Sequence, residues 1–383
     1  MASSLWQASA SGSGSCSSWL SSSNWPLLPG LPDDIALLCL ARLPRTVLLS
    51  LRGVSKAWRK ALEHPEFYET RVRLGRTEEW LYVESWNAGT QKVSWFAFDR
   101  AEAKWRKLAP LPKKRGFPAE VFGRSSTVLD GRLFVVGGKA GISGPTLRDL
   151  FIYSPLSNRW SRGRSMINTR HSPLVSVLNG KLYVLGGFDC FNKPMIASEC
   201  YHFDKDEWTS VESQGHPCLP APSWYCHGWQ PLWQGLLLHN KDFYCSYKMD
   251  DSRAAVKHYD PNTGKWELRK PTLKALLRYG LSTVLGGKLY TIDWAAGRVR
   301  TAGATGNDWI QVKGLEELPW VKIWMGNPQM VGVGNTLYVV KRGLQILGIE
   351  LSAAETTQDW FEYVPAGPGV EKEEVISSQV LAT

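Results

Sequence analysis

The chain has 383 residues, of which 43% are hydrophobic and 21% charged, and its formal net charge at pH 7 is +10. These values are typical of a globular protein with room for one large domain and one small one. No apolar run reaches the ~18 residues that a membrane-spanning helix needs. The seven cysteines are irregularly spaced, which excludes a regular disulfide framework and favours a reducing compartment.

The first segment, residues 1–26, contains no Asp, Glu, Lys or Arg, and Ser occupies 11 of its first 24 positions. It lacks the basic region and continuous apolar core of a secretory signal, and it lacks the arginines of a transit peptide. We therefore expect a disordered, Ser-rich terminus. The absence of such signals leaves the cytoplasm and the nucleus open as locations.

Residues 27–72 are predicted to form a small helical module. Pro32 suits the first turn of a helix, where its missing N–H costs nothing, and Asp33 and Asp34 favour the positive end of the helix dipole. The large apolar residues that follow recur at three- and four-residue spacing, which predicts one apolar stripe with the thiol of Cys39 buried in it. The members of the stripe are Ile35, Leu38, Cys39 and Leu43.

A second helical run is expected between Pro44, which ends the first helix, and His64-Pro65, which closes the segment. Its apolar residues are Val47, Leu48, Leu51, Val54 and Trp58, and its wet face carries Arg52, Lys56, Arg59 and Lys60. A module of this size buries little core by itself, so it needs a partner or a neighbouring domain. An ordinary helical hairpin packed on the domain that follows is the alternative interpretation.

From about residue 78 the chain repeats a different unit, two β-runs joined by a two-residue turn. The turn pairs are Asp130-Gly131, Asn179-Gly180, Gly286-Gly287 and Gly334-Asn335, and such pairs tolerate the positive φ of a tight hairpin. Two more strands follow each hairpin, and the last begins with a tryptophan: Trp105, Trp160, Trp208, Trp266, Trp309 or Trp360. A spacing of about 50 residues with four antiparallel strands per unit predicts the blades of a β-propeller, and six tryptophans predict six blades.

The two ends of the repeated region are predicted to meet. The first unit lacks an opening strand, whereas residues 375–381 resemble residues 124–129, which open the second unit. We therefore expect the C-terminal strand to complete the first blade and to remove the exposed sheet edges of an open ring.

Two families account for these patterns. The ordered match from Leu31-Pro32 through Val54-Ser55 to Trp58-Arg59 resembles the F-box, a module that docks onto the adaptor of a cullin-based ubiquitin ligase. The double glycines Gly137-Gly138 and Gly186-Gly187, the element Tyr259-Asp260-Pro261 and the repeated tryptophans resemble the kelch family. The chain as a whole resembles a plant-type F-box/kelch protein. The resemblance implies a mainly β fold, with a six-bladed kelch β-propeller over residues 78–383 preceded by a helical F-box at 27–72.

The resemblance also implies a function, that of the substrate-recognition subunit of an SCF ubiquitin ligase. Its F-box would bind a Skp-type adaptor, and through it a cullin, while the propeller would hold an unidentified target protein for ubiquitination and degradation. Such a subunit works by proximity, so no catalytic residue, cofactor or metal is expected on this chain. The residues expected to face the adaptor, or the module's own core, are Leu31, Pro32, Ile35, Leu43, Leu49, Val54 and Trp58.

Target binding is expected at one end of the propeller, on the loops that join strands and blades. Arginine and aromatic side chains just before the opening strands are candidates, because these residue types dominate interface energetics. They are Arg115, Arg124, Arg170, Trp229, Arg278, Tyr279 and Trp324. Packing between blades is the alternative role for each. The longer insertions, at residues 139–148, 188–197 and 246–255, are further candidates.

Other classes of function leave weaker traces. Basic groups at 113–115 and 159–164 fall at turns of separate repeats, which favours a solvated rim or an acidic partner over nucleic acid. The segment 218–245, with Cys218, Cys226, His227, His239 and Cys245, fits no known zinc pattern. Phosphate-loop, zinc-protease and nucleophile-elbow motifs are missing, as is the iron motif of kelch-type specifier proteins. A kelch scaffold acting outside ubiquitination, a propeller enzyme and a channel that binds a small ligand stay open as alternatives.

Overall fold

The structure is a computed structural model. It describes residues 26–90, 92–112, 121–141, 143–212, 235–238, 242–248, 254–260, 263–269, 282–293, 298–302, 309–312, 328–351, 357–363 and 370–382. The expected fold class, a mainly β chain with a small helical head and a six-bladed propeller, is confirmed. None of the described helices is long and apolar enough to cross a membrane.

The head contains four short helices. They are α1 (Asp33–Ala41), α2 (Arg45–Leu51), α3 (Lys56–Glu63) and α4 (Pro65–Arg73). The single second run predicted from the sequence is wrong, because α2 ends at Leu51 and a new helix begins after Ser55. The Ser55 hydroxyl accepts a hydrogen bond from Trp58 N at 3.1 Å, which is the usual way for serine to cap a helix. His64-Pro65 starts α4 rather than closing the module, since proline suits the first helical turn.

The core of the head lies on a different face of α1 from the one predicted. Ala36, Leu37, Leu40 and Ala41 are buried, together with Leu27, Leu48, Ala61, Leu62 and Phe67. Ile35 and Cys39, by contrast, are exposed, so the predicted burial of the Cys39 thiol is wrong. Two of the four buried positions on α1 are small alanines, which let the other helices approach closely, and the opposite face of α1 carries Ile35 and Cys39.

The described residues of the propeller form six four-stranded antiparallel sheets, the blades. Blade 1 contains β26 (Glu373–Ala382), β1 (Glu79–Asn87), β2 (Lys92–Asp99) and β3 (Lys104–Lys107). Blade 2 contains β5 (Ser125–Leu129), β6 (Arg132–Val136), β8 (Leu150–Ser154) and β9 (Arg159–Arg162). Blade 3 contains β10 (Leu174–Leu178), β11 (Lys181–Leu185), β12 (Ser198–His202) and β13 (Glu207–Val211).

The remaining blades follow the same order along the chain. Blade 4 contains β14 (Gly235–Leu238), β15 (Asp242–Lys248), β16 (Ala254–Asp260) and β17 (Lys265–Arg269). Blade 5 contains β18 (Ser282–Leu285), β19 (Lys288–Asp293), β20 (Arg298–Ala302) and β21 (Trp309–Gln311). Blade 6 contains β22 (Gln329–Val333), β23 (Thr336–Lys341), β24 (Gln345–Leu351) and β25 (Thr357–Tyr363).

Two of the three predicted insertions contain regular structure. Lys139–Ala140 forms a short strand, β7, that pairs with β4 (Val121–Phe122). Half of the predicted insertion at 246–255 belongs to β15 and β16, which pair from Phe243 to Lys248, and residues 249–253 lie outside the described residues. The two ends of this insertion are therefore strand rather than loop.

The first strands of the blades form a closed ring. Contacts run from β26 to β5, β10, β14, β18 and β22, and from β22 back to β26. The C-terminal strand β26 pairs with β1 along its whole length. Buried polar contacts fasten the pair, because Glu373 accepts hydrogen bonds from Ser85 Oγ at 2.6 Å and from Asn87 Nδ2 at 2.8 Å. On the other side, Gln379 Nε2 donates to the carbonyl of Ser126 in blade 2 at 2.9 Å.

In blades 1 to 4 the repeated tryptophan, Trp105, Trp160, Trp208 or Trp266, donates a hydrogen bond to a carbonyl of the neighbouring blade. In blades 2 and 3 a third-strand tyrosine faces the tryptophan across the sheet, in the pairs Tyr153–Trp160 and Tyr201–Trp208, each with ring centroids 5.0 Å apart. The indole N–H of Trp208 donates to the carbonyl of Arg164, just after the fourth strand of the preceding blade, at 2.8 Å. The ring of Trp208 thus packs within its own sheet, and its N–H group donates to a carbonyl of the adjacent sheet. These two contacts explain why a tryptophan recurs once per repeat.

The head joins the propeller through a polar cluster in which half-buried Glu78 contacts the buried Arg45, Arg71 and Trp80. Glu78 accepts hydrogen bonds from Arg45 N at 2.8 Å and from Arg71 Nη2 at 3.4 Å, and its other oxygen accepts from Trp80 Nε1 at 3.3 Å. The Arg45 guanidinium lies 4.1 Å from the centroid of the Trp80 ring. The fully buried Arg71 also donates to the carbonyls of Ala41 and Leu43. The head and blade 1 therefore share buried groups across their boundary.

A second contact fixes which end of the propeller carries the head. Arg52, assigned to the wet face from the sequence, pairs with Glu63 and donates to the carbonyl of Ser157 in the β8–β9 turn. Leu156, in the same turn, packs against the head core. A Cβ on Gly131, in the β5–β6 turn, would lie 2.7 Å from the Tyr68 ring. Since successive strands are antiparallel, these hairpin turns lie at one end and the β6–β8 and β9–β10 connections lie at the other.

Candidate functional site

The head carries an exposed apolar surface between Leu31 and Val54. We call its members, Leu31, Pro32, Ile35, Val47 and Val54, the head face. The exposed fraction is 42% for Ile35 and 60% for Val54. The exposure of several large apolar groups on one small module makes these residues candidates for contact with a partner.

The other adaptor-facing candidates have different surroundings. Leu43 and Trp58 are partly buried and pack against the core of the head. The indole N–H of Trp58 donates to the carbonyl of Leu27 at 2.6 Å. Leu49 is half-buried. Trp58 and Leu43 therefore support the module from inside, while the exposed members of the head face are available for contact.

Val47 is a member of the head face that was not among the adaptor-facing candidates. The sequence analysis placed it on an apolar helical face with Leu48, yet only Leu48 is buried. The two residues are adjacent, so they point in directions about 100° apart on α2, and only one can face the core. That geometric argument was available from the sequence.

Among the connections at the end of the propeller opposite the head, we call three described ones in and between blades 2 and 3 the distal loops. They are residues 137–149 in blade 2, residues 163–173 between blades 2 and 3, and residues 186–197 in blade 3. The first and third include the predicted insertions at 139–148 and 188–197. All three are held together by a network of hydrogen bonds.

The centre of that network is a buried ion pair between Arg170 and Glu199. Both side chains have no exposed surface, and Arg170 Nη2 lies 2.5 Å from Glu199 Oε1. Arg170 Nη1 donates to the carbonyls of Gly186 at 2.6 Å and Ala197 at 2.7 Å. Burial lowers the pKa of the guanidinium while the Glu199 carboxylate opposes the change. Arg170, a candidate for target contact, is thus occupied inside the fold, where it joins the second and third distal loops.

Glu199 also holds the loop between blades 2 and 3. Its Oε2 accepts a hydrogen bond from Ile167 N at 2.7 Å, and its Oε1 accepts from Asn168 N at 2.9 Å and Asn168 Nδ2 at 2.8 Å. With Arg170, the carboxylate accepts four hydrogen bonds, three on Oε1 and one on Oε2. The backbone of this loop is therefore fixed by a side chain from β12.

The turn at the tip of the third distal loop is fixed as well. Asp189 Oδ1 accepts from Phe191 N and Lys193 N, each at 2.8 Å, and Asn192 adopts a left-handed conformation with φ +60°. The buried Lys139 ammonium donates to the carbonyl of Cys190 at 3.1 Å and to Asn192 Oδ1 at 2.9 Å. Blade 2 thereby holds the residues on both sides of Phe191.

Arg124, another candidate for target contact, lies at the junction of blades 1 and 2 just before β5. Its guanidinium is 5.5 Å from the centroid of the Phe151 ring. Burial lowers its pKa, and the negative charges of Glu84 and Asp149 oppose this change. Arg124 is partly exposed, so it stays a candidate for target contact.

Glu84 is the unusual member of this junction. Burial raises the pKa of its carboxyl to about 7, although Arg124 and the Ser377 hydroxyl favour the ionised form. Ser377 Oγ lies 3.5 Å from Glu84 Oε2, on the strand that closes the ring. The carboxyl therefore titrates near neutrality at the point where β26 meets blades 1 and 2.

The remaining candidates lie outside the described residues. They are Arg115, Trp229, Arg278, Tyr279 and Trp324, and, for the metal alternative, Cys218, Cys226, His227 and His239. Within the described part of the chain, no group of three or more His, Cys, Asp or Glu side chains is arranged to hold a metal ion.

Comparison with known proteins gives the same division of the chain. The family model of the F-box domain matches residues 28–70, and the model of the Kelch motif matches residues 122–167 and 169–214. An F-box/kelch-repeat protein of Arabidopsis thaliana is 32% identical over 271 residues, covering 70% of this chain and 68% of the relative. A second such Arabidopsis protein is 30% identical over 321 residues, covering 70% and 66%.

A third relative matches over a shorter span. The Arabidopsis F-box protein AFR is 34% identical over 191 residues, which is 49% of this chain and 50% of AFR. The head, the blades and these matches agree on one assignment. The chain belongs to the family of F-box/kelch-repeat proteins.

Proposed function

We propose that this chain is a substrate receptor of an SCF-type ubiquitin ligase. The head face binds a Skp-type adaptor, through which a cullin is recruited, and the propeller holds a protein that is to be ubiquitinated and degraded. The observation that carries the proposal is the exposed apolar head face on a module whose own core is already complete without it. Exposed groups of this kind are stabilised by a partner rather than by the fold.

The placement of the two surfaces supports the proposal. The head contacts the propeller at its hairpin-turn end, through Arg52 and Tyr68, so the distal loops point away from it. A target bound at the distal loops does not compete for space with an adaptor bound at the head face. Catalysis is then supplied by a separately bound conjugating enzyme, and the chain contributes proximity. We propose the cytoplasm or the nucleus as the site of action.

A co-purification experiment tests the adaptor contact. The full chain is co-expressed with a Skp-type adaptor and a cullin, beside Leu31→Ala/Pro32→Ala and beside Val72→Ala as the control. Val72 is an exposed apolar residue of the same module on α4, outside the head face. We expect the double variant to lose the adaptor while its melting temperature stays unchanged, because both side chains are exposed. Val72→Ala should bind as the wild type does.

The opposite result has a definite meaning. If the folded wild-type chain ignores the adaptor, or if the double variant still binds it, the head is a structural cap on the propeller. The kelch scaffold acting outside ubiquitination would then be the better interpretation.

A further inference from the structure

One aromatic side chain on the distal loops, Phe191, is largely exposed to solvent. Phe191 is 78% exposed, although burying a phenylalanine typically gains ~1.5–3 kcal/mol. Its loop is not loose, since Lys139 binds Cys190 and Asn192 on either side and Asp189 caps the turn. A rigid loop that presents a bare aromatic ring is organised in advance for contact, which lowers the entropic cost of binding.

Two aliphatic side chains of the distal loops are exposed as well. Ile167 is 49% exposed and Ile196 is 50% exposed. Ile167 N donates to Glu199, and Arg170 donates to the carbonyl that follows Ile196. One buried ion pair therefore positions both isoleucines, each on a different distal loop.

Two cations border these apolar groups. Arg148 is exposed and its carbonyl accepts from Met166 N at 2.8 Å, next to Ile167. Lys193 is exposed two residues beyond Phe191. Among the described residues of the three distal loops, the acidic ones are Asp149, which is buried, and Asp189, whose Oδ1 is bound by the turn. The exposed charge of the surface is therefore positive.

We infer that Arg148, Ile167, Phe191, Lys193 and Ile196, the distal patch, bind an extended segment of a target protein that combines a large apolar side chain with a neighbouring acidic one. The apolar side chain packs against Phe191 and the two isoleucines, and the carboxylate pairs with Arg148 or Lys193. Aromatic anchors surrounded by charge-complementary groups are typical of protein interfaces. The inference rests on the proposed function, in which the propeller is the target-binding part.

Peptide selection on the intact protein tests the inference. A phage-displayed library of random dodecapeptides is selected on the full chain without the adaptor, and enriched peptides are then measured by fluorescence anisotropy on the full chain with and without the adaptor. We expect enriched sequences to carry an aromatic or large aliphatic residue within a few positions of Asp or Glu. Phe191→Ala should weaken them about 30-fold, the loss typical of truncating an interface anchor. Ile310→Ala, an exposed isoleucine of β21 in blade 5, is the matched control and should change nothing.

Charge reversal tests the second half of the inference. Arg148→Glu/Lys193→Glu should weaken the same peptides at least tenfold and reduce the dependence of affinity on salt. Lys205→Glu, an exposed lysine in the β12–β13 turn, is the control. Peptides that are basic, peptides that bind Phe191→Ala unchanged, or a selection that enriches no sequence would each overturn the inference.

The two proposals fail separately. Adaptor co-purification is measured on every variant and should be unaffected by Phe191→Ala, because the residue lies on a distal loop. Peptides that need Phe191 in a chain that ignores the adaptor would refute the ligase function and keep the distal patch. Adaptor binding without such peptides would do the reverse.

Discussion

Replacing Glu199 by Gln perturbs the distal loops at their most constrained point. The substitution keeps the shape of the side chain and removes the charge that neutralises the buried Arg170. A glutamine has one acceptor oxygen, whereas the Glu199 oxygens face donors on both sides: Ile167 N on one, and Asn168 and Arg170 on the other. Whichever way the amide turns, an N–H group meets another N–H group.

The magnitude follows from burial. Breaking a fully buried ion pair by removing one charge costs about 3–5 kcal/mol, because the remaining charge is left without compensation. For a domain of this size that corresponds to a fall in melting temperature of about 6–15 °C. Glu207→Gln is the matched control in the same blade, since the Lys205–Glu207 pair is 3.9 Å apart and largely exposed. An exposed pair contributes below about 1 kcal/mol, so the control should melt within ~2 °C of the wild type.

The assay is thermal unfolding of the full chain at pH 7, followed by circular dichroism, with amide hydrogen exchange at Ile167 and Asn168. We expect Glu199→Gln to melt lower and to exchange faster at both amides, while adaptor co-purification is unchanged. If Glu199→Gln melts within 2 °C of the wild type, the ion pair does not hold the distal loops and the reasoning fails.

Three further predictions concern the ring and its joint with the head. Deleting residues 373–382 should abolish cooperative unfolding, because blade 1 loses the strand that closes the ring; unchanged melting would refute this. Glu84→Gln tests the pKa of about 7. Because burial raises the pKa of this carboxyl above the 4.5 of an ordinary glutamate, the wild type loses stability as the pH rises from 4.5 through 7, by up to about 3 kcal/mol. The melting temperature of the variant minus that of the wild type should therefore rise over that pH range, because glutamine does not titrate. A difference that does not change with pH would contradict the assignment. Gly131→Ala and Gly180→Ala both place a Cβ at positive φ, but only the former meets the Tyr68 ring, at 2.7 Å. Gly131→Ala should therefore make the head more sensitive to limited proteolysis than Gly180→Ala does. Equal sensitivity would show that the Tyr68 contact does not hold the head against the propeller.

The propeller could be predicted from the sequence because its information is local and repeated. Each blade needs a tight turn that tolerates positive φ, as at Asp130-Gly131, and a tryptophan that reaches a carbonyl of the preceding blade, as Trp208 does. A signal that recurs six times survives the decay of any one copy, so the loss of glycine pairs in later repeats did not obscure the fold.

The buried face of α1 could not be predicted by the same means. Its sequence is apolar from Ile35 to Ala41 on all sides, so periodicity does not distinguish the core from an interface. The structure buries Ala36 and Leu37 and exposes Ile35. An all-apolar surface helix is itself informative, since one face serves the fold and the other is left for a partner.

The roles of single arginines also depended on three-dimensional surroundings. Arg124 and Arg170 occupy similar places before an opening strand, yet Arg170 is enclosed by Glu199 and two carbonyls whereas Arg124 stays partly exposed. Nothing in the residue type separates these outcomes, because guanidinium groups serve buried networks and interfaces equally well. Phe191 was missed for the opposite reason, since its exposure depends on a turn that Asp189 and Lys139 build.

The joint between head and propeller decides how well a receptor of this kind can work. Ubiquitin transfer by proximity depends on the effective concentration of the target at the conjugating enzyme. A flexible connection between head and propeller lowers that concentration, because the target then occupies many positions. Here the connection is short, and half-buried Glu78 binds the buried Arg45, Arg71 and Trp80 across the boundary. Moving the head would separate those buried groups from their partners, which is costly. For the proposed receptor, the joint therefore fixes where a target on the distal loops lies relative to the adaptor. Target lysines must reach the enzyme through the target's own geometry rather than through bending of the receptor.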